Sequence, residues 1–467
     1  MHTADGANHI HQGTTRRNIA SRRQNFQTYG KVKVRSFDAR DERLQIREGA
    51  TRKGGTSSLS SSVFNLVNNV AGAGILTLSG GVASGTGWVP AIIICVALAV
   101  LSGHCYSIIG EACELTGETN FKGLWKRTIG KKSAYLVDSM IAIMCLSCSV
   151  IYSGILGDVF TPLLKQAGFP DKWNGRTSNI VIITTLFLLP LSLIKDLSAL
   201  AFTSILGFAS ILYTVLFIII RYFDGSYMLP AGQFVQDGLI MSPAFENAST
   251  WKFGLKALVL ASNFGLAYIA HYNAPIFYRS LKDANAKRFR KMVNISFLTL
   301  AILYTATMMA GYATFGDVCQ GNILLNFHPN DVLSTLGRVA TGFSILFGFP
   351  LVACGARESL IGLASFFGND ALGSEKNNFA LVTAILTFVT VISCTVQDVS
   401  LVVGLTGAAL GSTIVYICPP FIHSKAVAMV HGANSPAARR AKLNLALVPF
   451  GLFIGVLGCI MTLREAT

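Results

Sequence analysis

Long apolar stretches with few or no Lys, Arg, Asp or Glu recur along the chain from residue 59 onward. Each is close to the roughly 20 residues that an α-helix needs to cross the hydrocarbon core of a bilayer. The pattern predicts an all-α membrane protein with eleven transmembrane helices. The stretches are Leu59–Val82, Trp88–Gly110, Ser133–Leu164, Ser178–Ile194, Leu197–Ile220, Ala257–Tyr278, Met292–Gly316, Val339–Ala356, Asn378–Val396, Val399–Ile422 and Leu443–Leu463.

Two of these stretches are interrupted by residues that weaken a helix. The first contains Gly72 and Gly74, and the sixth contains Gly265 and Pro275. Proline removes a backbone donor, and glycine in a membrane helix serves either a break or close packing against a neighbour. Interrupted helices at corresponding positions of two halves are typical of a transporter's binding site.

The interrupted spans lie five apart, which predicts a five-plus-five inverted repeat followed by one extra helix. Five spans per repeat reverse the orientation of the second repeat. The expected organisation is a basic, disordered, cytosolic tail over 1–57, repeats over 58–252 and 253–424, and an inner loop with the eleventh helix over 425–467.

The positive charge is concentrated on one predicted side of the membrane. The first 57 residues hold 12 of the 38 Lys and Arg residues but only five acids. Cytoplasmic flanks retain Lys and Arg, so the amino terminus is expected in the cytosol and the carboxyl terminus outside it. The sequon Asn247-Ala248-Ser249 then lies on the outer side, and no signal peptide precedes the first span. With 13% charged residues, the composition excludes a soluble globular protein and a nucleic-acid-binding domain.

Neither the cysteines nor the carboxylates within the spans indicate an enzyme. Cys145-Leu-Ser-Cys148 lies in an apolar helix without a second ligand pair, so packing is the favoured interpretation over metal or redox chemistry. Asp138 and Asp158 are twenty residues apart on one helix, about 30 Å at 1.5 Å per residue. They cannot form a catalytic pair, and no metal site is predicted.

The candidate binding site follows from the interrupted spans. An unwound first span would expose amide groups of Gly72, Ala73 and Gly74 to a substrate carboxylate. Asn68, Gly72 and Ile75 share one helix face. The remaining predicted substrate-binding residues, from spans three and six, are Tyr152, Phe264, Gly265 and Tyr268.

Two ionisable residues are candidates for coupling or gating. His271 is deep in span six. A histidine side chain ordinarily titrates near neutral pH, so this one could relay protons; a neutral histidine hydrogen-bonded within the bundle is an equally weighted alternative. Asp158 lies near the outer end of span three, where a satisfied cap is favoured over a proton site. His104 in span two is expected to be structural.

At these residues the chain resembles the amino acid/auxin permease family, within the wider amino acid–polyamine–organocation group. The likeness covers roughly residues 57 to 465. Three motifs carry it: Phe64-Asn65-Leu66 with Asn68 and Gly72-Ala73-Gly74-Ile75-Leu76; His271 with Pro275-Ile276-Phe277-Tyr278 and Leu281-Lys282-Asp283; and Phe349-Pro350-Leu351 with Arg357-Glu358-Ser359.

The resemblance implies a LeuT-type fold and symport or exchange of amino acids, with neutral ones favoured here. Some members use sodium, through an asparagine in span one and Thr or Ser in span eight. Asn68 matches the first, but Phe347-Gly348-Phe349 occupies the second place, with Ser344 one turn earlier. That departure favours protons over sodium as the coupling ion.

The expected function is therefore secondary active transport by alternating access, with an amino acid and the bilayer as partners, no cofactor, and a monomer compatible with the arrangement. A sodium-coupled symporter and an amino acid sensor that signals through the basic tail remain alternatives. A channel would show a repeated filter or charged rings, which the sequence lacks. A vacuolar or lysosomal membrane and the plasma membrane both suit the predicted orientation.

Overall fold

The computed structural model describes residues 55–194, 203–236 and 250–466, and helices account for nearly all regular structure in these residues. Short 3-10 helices lie at Ala73–Thr77 and His271–Asn273, and π-helices lie at Thr184–Leu188 and Gly407–Ile417. The α-helices are α1 (Leu59–Val70), α2 (Leu78–Ala83), α3 (Trp88–Thr116), α4 (Phe121–Thr128), α5 (Ala134–Gln166), α6 (Asp171–Asn174), α7 (Arg176–Ile183), α8 (Leu189–Ser192), α9 (Thr203–Phe223), α10 (Gln233–Gln236), α11 (Ala257–Ala267), α12 (Ala274–Ser280), α13 (Ala286–Phe315), α14 (Val332–Phe366), α15 (Glu375–Thr395), α16 (Val399–Thr406), α17 (Cys418–His431), α18 (Pro436–Leu443) and α19 (Leu447–Ala466).

Eight helices in the described part of the chain are long and apolar enough to cross a membrane. A ninth span is added when Leu59–Val70 and Ala73–Ala83, bent by 52°, count as one broken helix. The prediction of an all-α, multi-span membrane protein is confirmed. Two of the eleven expected spans have a different form: Arg176–Ser192 is a shorter apolar helix, and α11 and α12 are separated by a break.

Several predictions fall outside the described residues. They are the tail up to residue 54, the tight connection at Lys195-Asp196 and the sequon Asn247-Ala248-Ser249.

Polar residues at the ends of the apolar stretches explain where the helices begin. The Ser58 hydroxyl accepts the Ser61 amide over 3.2 Å, and Asp398 accepts the Ser400 amide over 2.8 Å. Such caps satisfy donors that the first turn leaves unpaired. The Asp398 cap lets α16 begin at Val399, with only three residues between it and the end of α15 at Thr395, so the tight connection at Gln397-Asp398 is real.

The bundle carries apolar side chains on its outside and buries polar ones within. Val100 and Ile205 are 65% and 66% exposed, whereas Ser102, Ser262 and Ser296 are fully buried. A surface of this kind suits contact with lipid tails, because the bilayer core offers polar groups no partners.

Helices α5 and α14 pack closely through glycines. A Cβ at Gly342 would lie 2.9 Å from the Phe160 ring, and one at Gly355 would lie 2.9 Å from the Cys145 sulfur. Small residues at such positions allow membrane helices to approach.

Different contacts tie segments together at the two ends of the bundle. At the near end, where α1 begins, Ser57 pairs with Leu281 in a parallel β-bridge. At the far end, the Arg176 guanidinium contacts the Asp158 carboxylate at 2.7 Å. The same guanidinium donates to the Ser393 carbonyl over 2.8 Å, so α5, α7 and α15 are tied together there.

Candidate functional site

The first break lies where the sequence pattern predicted it. Helix α1 ends at Val70, Ala71 leaves the helical region with ψ 80°, and Gly72 is extended at φ −106° and ψ −158°. The amides of Ala73 and Gly74 then open a new helix, where no preceding turn supplies their acceptors. Peptide groups are thus exposed in the middle of a predicted span.

The second break follows α11, which ends at Ala267. Ala270 has φ −153° and ψ 11° before the chain turns into the 3-10 helix at His271. Pro275 occupies the first turn of α12, where a missing amide proton costs nothing.

The two breaks contact each other and share one partner. A Cβ at Gly74 would lie 3.2 Å from the Ala267 Cα, so the chains approach closely here. From α13, the hydroxyl of Tyr304 donates to the Ala267 carbonyl over 2.7 Å and lies 3.3 Å from the Val70 carbonyl. Both carbonyls belong to the last residue of a helix that the break interrupts.

A cavity of about 540 Å³ lies beside the breaks. Residues of α1, α5, α9, α11, α12 and α14 line it together with the two breaks. Six predicted substrate-binding residues and the predicted ion ligand Ser344 line it: Asn68, Gly72, Ala73, Gly74, Ile75, Tyr152 and Ser344. The Tyr152 hydroxyl is 3.4 Å from where a Cβ on Gly72 would stand, so α5 reaches the first break.

The lining is neutral. Among the described residues, no Asp, Glu, Lys, Arg or His lines the cavity. Its polar groups are peptide units, hydroxyls and carboxamides, including Asn273, whose amide donates to the Asn69 carboxamide oxygen over 3.3 Å. Such a lining matches a ligand without net charge.

Hydroxyls and a carboxamide cluster on the α9 side of the cavity. Measured from a Cβ placed on Gly207, the Ser344 hydroxyl lies at 3.1 Å and the Asn68 carboxamide oxygen at 3.8 Å. Two turns further along α9, the Thr214 hydroxyl lies 3.2 Å from the Thr341 hydroxyl. Because Gly207 has no side chain, the two predicted ion ligands, Asn68 and Ser344, face the same space beside it.

The cavity extends toward the near end. Its lining includes Asn65 on α1 and Phe277 on α12. Helix α12 ends at Ser280, whose carbonyl accepts the Ser57 amide over 3.0 Å. The far end, with the Asp158–Arg176 pair, lies beyond Tyr152 on α5.

Three predicted substrate-binding residues of α11 and its break do not line the cavity. Phe264 and Tyr268 are fully buried and stack on each other at 5.6 Å. The Tyr268 hydroxyl donates to the Cys95 carbonyl on α3 over 3.3 Å. A Cβ on Gly265 would lie 2.5 Å from the Gly407 carbonyl oxygen, so this glycine serves close packing. The lining residues here are Leu266, Ala267 and Ile269 instead.

The predicted coupling residues also lie outside the cavity. His271 is fully buried, and its Nε2 donates to the Ser102 carbonyl over 2.9 Å. Its Nδ1 has no hydrogen-bond partner among the described residues. His104 contacts the Asn444 carboxamide at 3.0 Å, in keeping with a structural role. Asp158 holds the far-end ion pair.

Sequence reasoning missed Gly207, Gly348 and Tyr304. A glycine or tyrosine in an apolar span is compatible with packing alone, so these residues carried no distinguishing signal.

Comparisons with known proteins identify a family and several relatives of this chain. The sequence profile of the family described as "Transmembrane amino acid transporter protein" matches residues 55–464. "Putative sodium-coupled neutral amino acid transporter 11" of Bos taurus is 24% identical over 91% of this chain and 88% of its own. "Vacuolar amino acid transporter 2" of Saccharomyces cerevisiae is 26% identical over 78% of this chain and 76% of its own.

A solved structure resembles the fold. The nucleobase-cation-symport-1 family transporter Mhp1, in a closed conformation with bromovinylhydantoin bound, aligns with a TM-score of 0.55 and 10% identity, covering 88% of this chain and 91% of the other. The fold is LeuT-like, and the protein is a transporter rather than an enzyme. The family resemblance expected from the sequence is confirmed: the chain belongs to the transmembrane amino acid transporter family.

Proposed function

We propose that the protein is a secondary active transporter that moves neutral amino acids by alternating access. One observation carries the proposal: an uncharged cavity of about 540 Å³ is lined by the peptide groups of two broken helices. An α-amino acid carries one carboxylate and one ammonium group, and the amides and carbonyls at the ends of the broken helices suit both.

The substrate carboxylate meets the first break at Gly72, Ala73 and Gly74. The Gly72 amide donates to the Val70 carbonyl over 2.8 Å, so the amides that face the carboxylate are those of Ala73 and Gly74. These two open the helix Ala73–Ala83, whose amino-terminal end favours negative charge. The ammonium group meets carbonyls at the end of α11, where Leu266 and Ala267 line the cavity.

In this proposal the chain has eleven spans, with Arg176–Ser192 as the fourth and the broken α11–α12 as the sixth. The breaks then fall in the first and sixth spans, as a five-plus-five inverted repeat requires. With the amino terminus in the cytosol, the cavity extends toward the cytosolic side. The Asp158–Arg176 pair then closes the opposite side, which makes Asp158 a gating residue. The vacuolar or lysosomal membrane and the plasma membrane both suit this orientation.

The proposed coupling ion is the proton, with His271 as the residue that takes it up. This histidine lies at the second break, between α11 and α12. Its Nδ1 is unpartnered among the described residues, and the neighbouring Tyr272 lines the cavity. Protonation of His271 would place a charge on the broken segment, which has to move during transport.

Sodium is the second candidate, supported by a different observation. The Asn68 carboxamide oxygen and the Ser344 hydroxyl face the same space at Gly207. Sodium is a hard cation that oxygen ligands suit, and carbonyls of the first break could add to these two.

Uptake by purified protein in proteoliposomes tests the proposal. Amino acids would be screened under imposed pH and sodium gradients, with Gly72→Leu as the test variant. The leucine side chain would occupy the space beside Tyr152, so we expect uptake to fall at least tenfold. Gly254→Leu is the matched control, because a Cβ at Gly254 has no described atom within 4 Å. Normal transport by Gly72→Leu would exclude this site, and no uptake by wild type under any gradient would exclude the function.

A further inference from the structure

The cavity wall opposite Tyr152 is formed by a glycine that packing does not require. Gly348 lies in the middle of α14 and lines the cavity. Apart from its two chain neighbours and its own helix backbone, the only described atom within 4 Å of a Cβ at Gly348 is the Tyr152 Cε2, at 3.9 Å. A side chain at Gly348 would therefore project into open space in the cavity.

A second glycine on the same face of α14 shows the contrast. Gly355 is seven residues further, two helical turns, and also lines the cavity. A Cβ there would lie 2.9 Å from the Cys145 sulfur, so Gly355 lets α5 and α14 approach. Packing explains Gly355 but not Gly348.

Tyr152 connects Gly348 to the first break. Its hydroxyl is 3.4 Å from a Cβ at Gly72, and its ring edge is 3.9 Å from a Cβ at Gly348. A substrate held at Gly72 by its carboxylate would have the Tyr152 ring beside it and Gly348 beyond. The lining residues one turn from Gly348 include Ile345, Leu351 and Val352, so the space suits an apolar side chain.

We propose that Gly348 is the specificity-determining residue that admits large apolar side chains, so that the transported class includes neutral amino acids of leucine or methionine size. The inference rests on the proposed function, because it takes the carboxylate position from it. Gly348 and Tyr152 together set the width of the space that receives the side chain.

Uptake kinetics in proteoliposomes test the inference with alanine, serine, leucine and methionine as substrates. The variants are Gly348→Ala and Gly348→Val, with Gly355→Ala as the matched control. One methylene group in an apolar pocket changes kcat/KM by about 10- to 200-fold. We expect Gly348→Ala to lower the leucine-to-alanine ratio of kcat/KM by about tenfold, and Gly348→Val to lower it further. Gly355→Ala should lower both rates in proportion, because its methyl group meets Cys145 and not the substrate.

Folding does not confound the test. Alanine is favoured over glycine in a helix interior, so Gly348→Ala retains a stable α14 even where the valine variant is poorly folded. Ligand-induced shifts of the thermal unfolding midpoint give a second readout: leucine should stabilise Gly348→Ala less than it stabilises wild type.

Two results would overturn the inference while leaving the proposed function intact. One is a leucine-to-alanine ratio unchanged in Gly348→Val. The other is a wild-type protein that transports alanine and serine but neither leucine nor methionine. A wild-type protein that neither binds nor transports any amino acid would instead overturn the proposed function, and this inference with it.

Discussion

The hydroxyl of Tyr304 donates a hydrogen bond to the carbonyl oxygen of Ala267 over 2.7 Å. Ala267 is the last residue of α11, and the same hydroxyl lies 3.3 Å from the carbonyl of Val70, the last residue of α1. One side chain from α13 therefore supports both helix ends at which the chain unwinds. A break inside a bilayer needs such partners, because the hydrocarbon core supplies none.

Replacing Tyr304 with phenylalanine should destabilise the breaks, most of all the one after α11, because the Val70 carbonyl keeps the Gly72 amide as a donor. A buried acceptor left without a partner costs about 1–3 kcal/mol, so we expect a lower thermal unfolding midpoint and slower uptake. Tyr213→Phe is the matched control, because it also removes one bond from a tyrosine to a carbonyl, that of Leu333, away from the breaks. Equal effects of the two variants on uptake would argue against a special role for Tyr304.

The near-end β-bridge joins the start of α1 to the end of α12, so it should make these helices move together. The Ser57 amide donates to the Ser280 carbonyl over 3.0 Å, and the Ser57 carbonyl accepts the Lys282 amide over 2.9 Å. Ser57→Pro removes the donor and should slow uptake severalfold while substrate binding persists. Ser57→Ala keeps the backbone bonds and serves as the control. Identical kinetics for the two variants would show that the bridge does not contribute to the transport cycle.

Asp158→Asn should weaken closure of the far end. The ion pair with Arg176 is lost, but the bonds from Arg176 to backbone carbonyls persist, so we expect a loss of about 3 kcal/mol or less in unfolding free energy. The cavity-lining Cys148 should react faster with an impermeant thiol reagent added from the far side, with Cys148→Ser as the baseline. Asp224→Asn, which breaks the Arg221–Asp224 pair, should leave this rate unchanged. An unaltered rate in Asp158→Asn would count against gating by Asp158.

Two variants distinguish a proton from sodium as the coupling ion. If protons drive transport through His271, His271→Gln should make uptake insensitive to an imposed pH gradient. Ser344→Ala should then keep its pH dependence. The reverse outcome, with uptake that requires sodium and is lost in Ser344→Ala, would replace the proton with sodium. Uptake measured in proteoliposomes under each gradient, with and without the other, distinguishes the two.

The sequence indicated the two breaks because glycine and proline act on the chain locally. Gly72 and Pro275 change backbone conformation or hydrogen bonding wherever they occur, so their positions in apolar spans were informative. The direction in which a side chain points depends on the neighbouring helices, so the local sequence did not indicate it. Tyr268 was expected in the site, yet its hydroxyl meets Cys95 on α3 because neighbouring helices determine which face of the broken segment is covered.

Three glycines show the same difference between what the local sequence indicates and what helix packing decides. Gly72, Gly265 and Gly348 look alike in sequence. In the bundle, Gly265 meets the Gly407 backbone, whereas Gly72 and Gly348 border open space beside Tyr152. The difference depends entirely on what the opposing helix presents.

By itself, the sequence determined that this is a multi-span helical membrane protein interrupted at two helices, because hydrophobic length and backbone propensity are properties of a contiguous segment. Only the tertiary structure decided which residues share the cavity, that its lining is uncharged, and that Tyr304 supports both breaks. These are relationships between residues as far apart as Gly72 and Gly348, and they exist only once the helices pack.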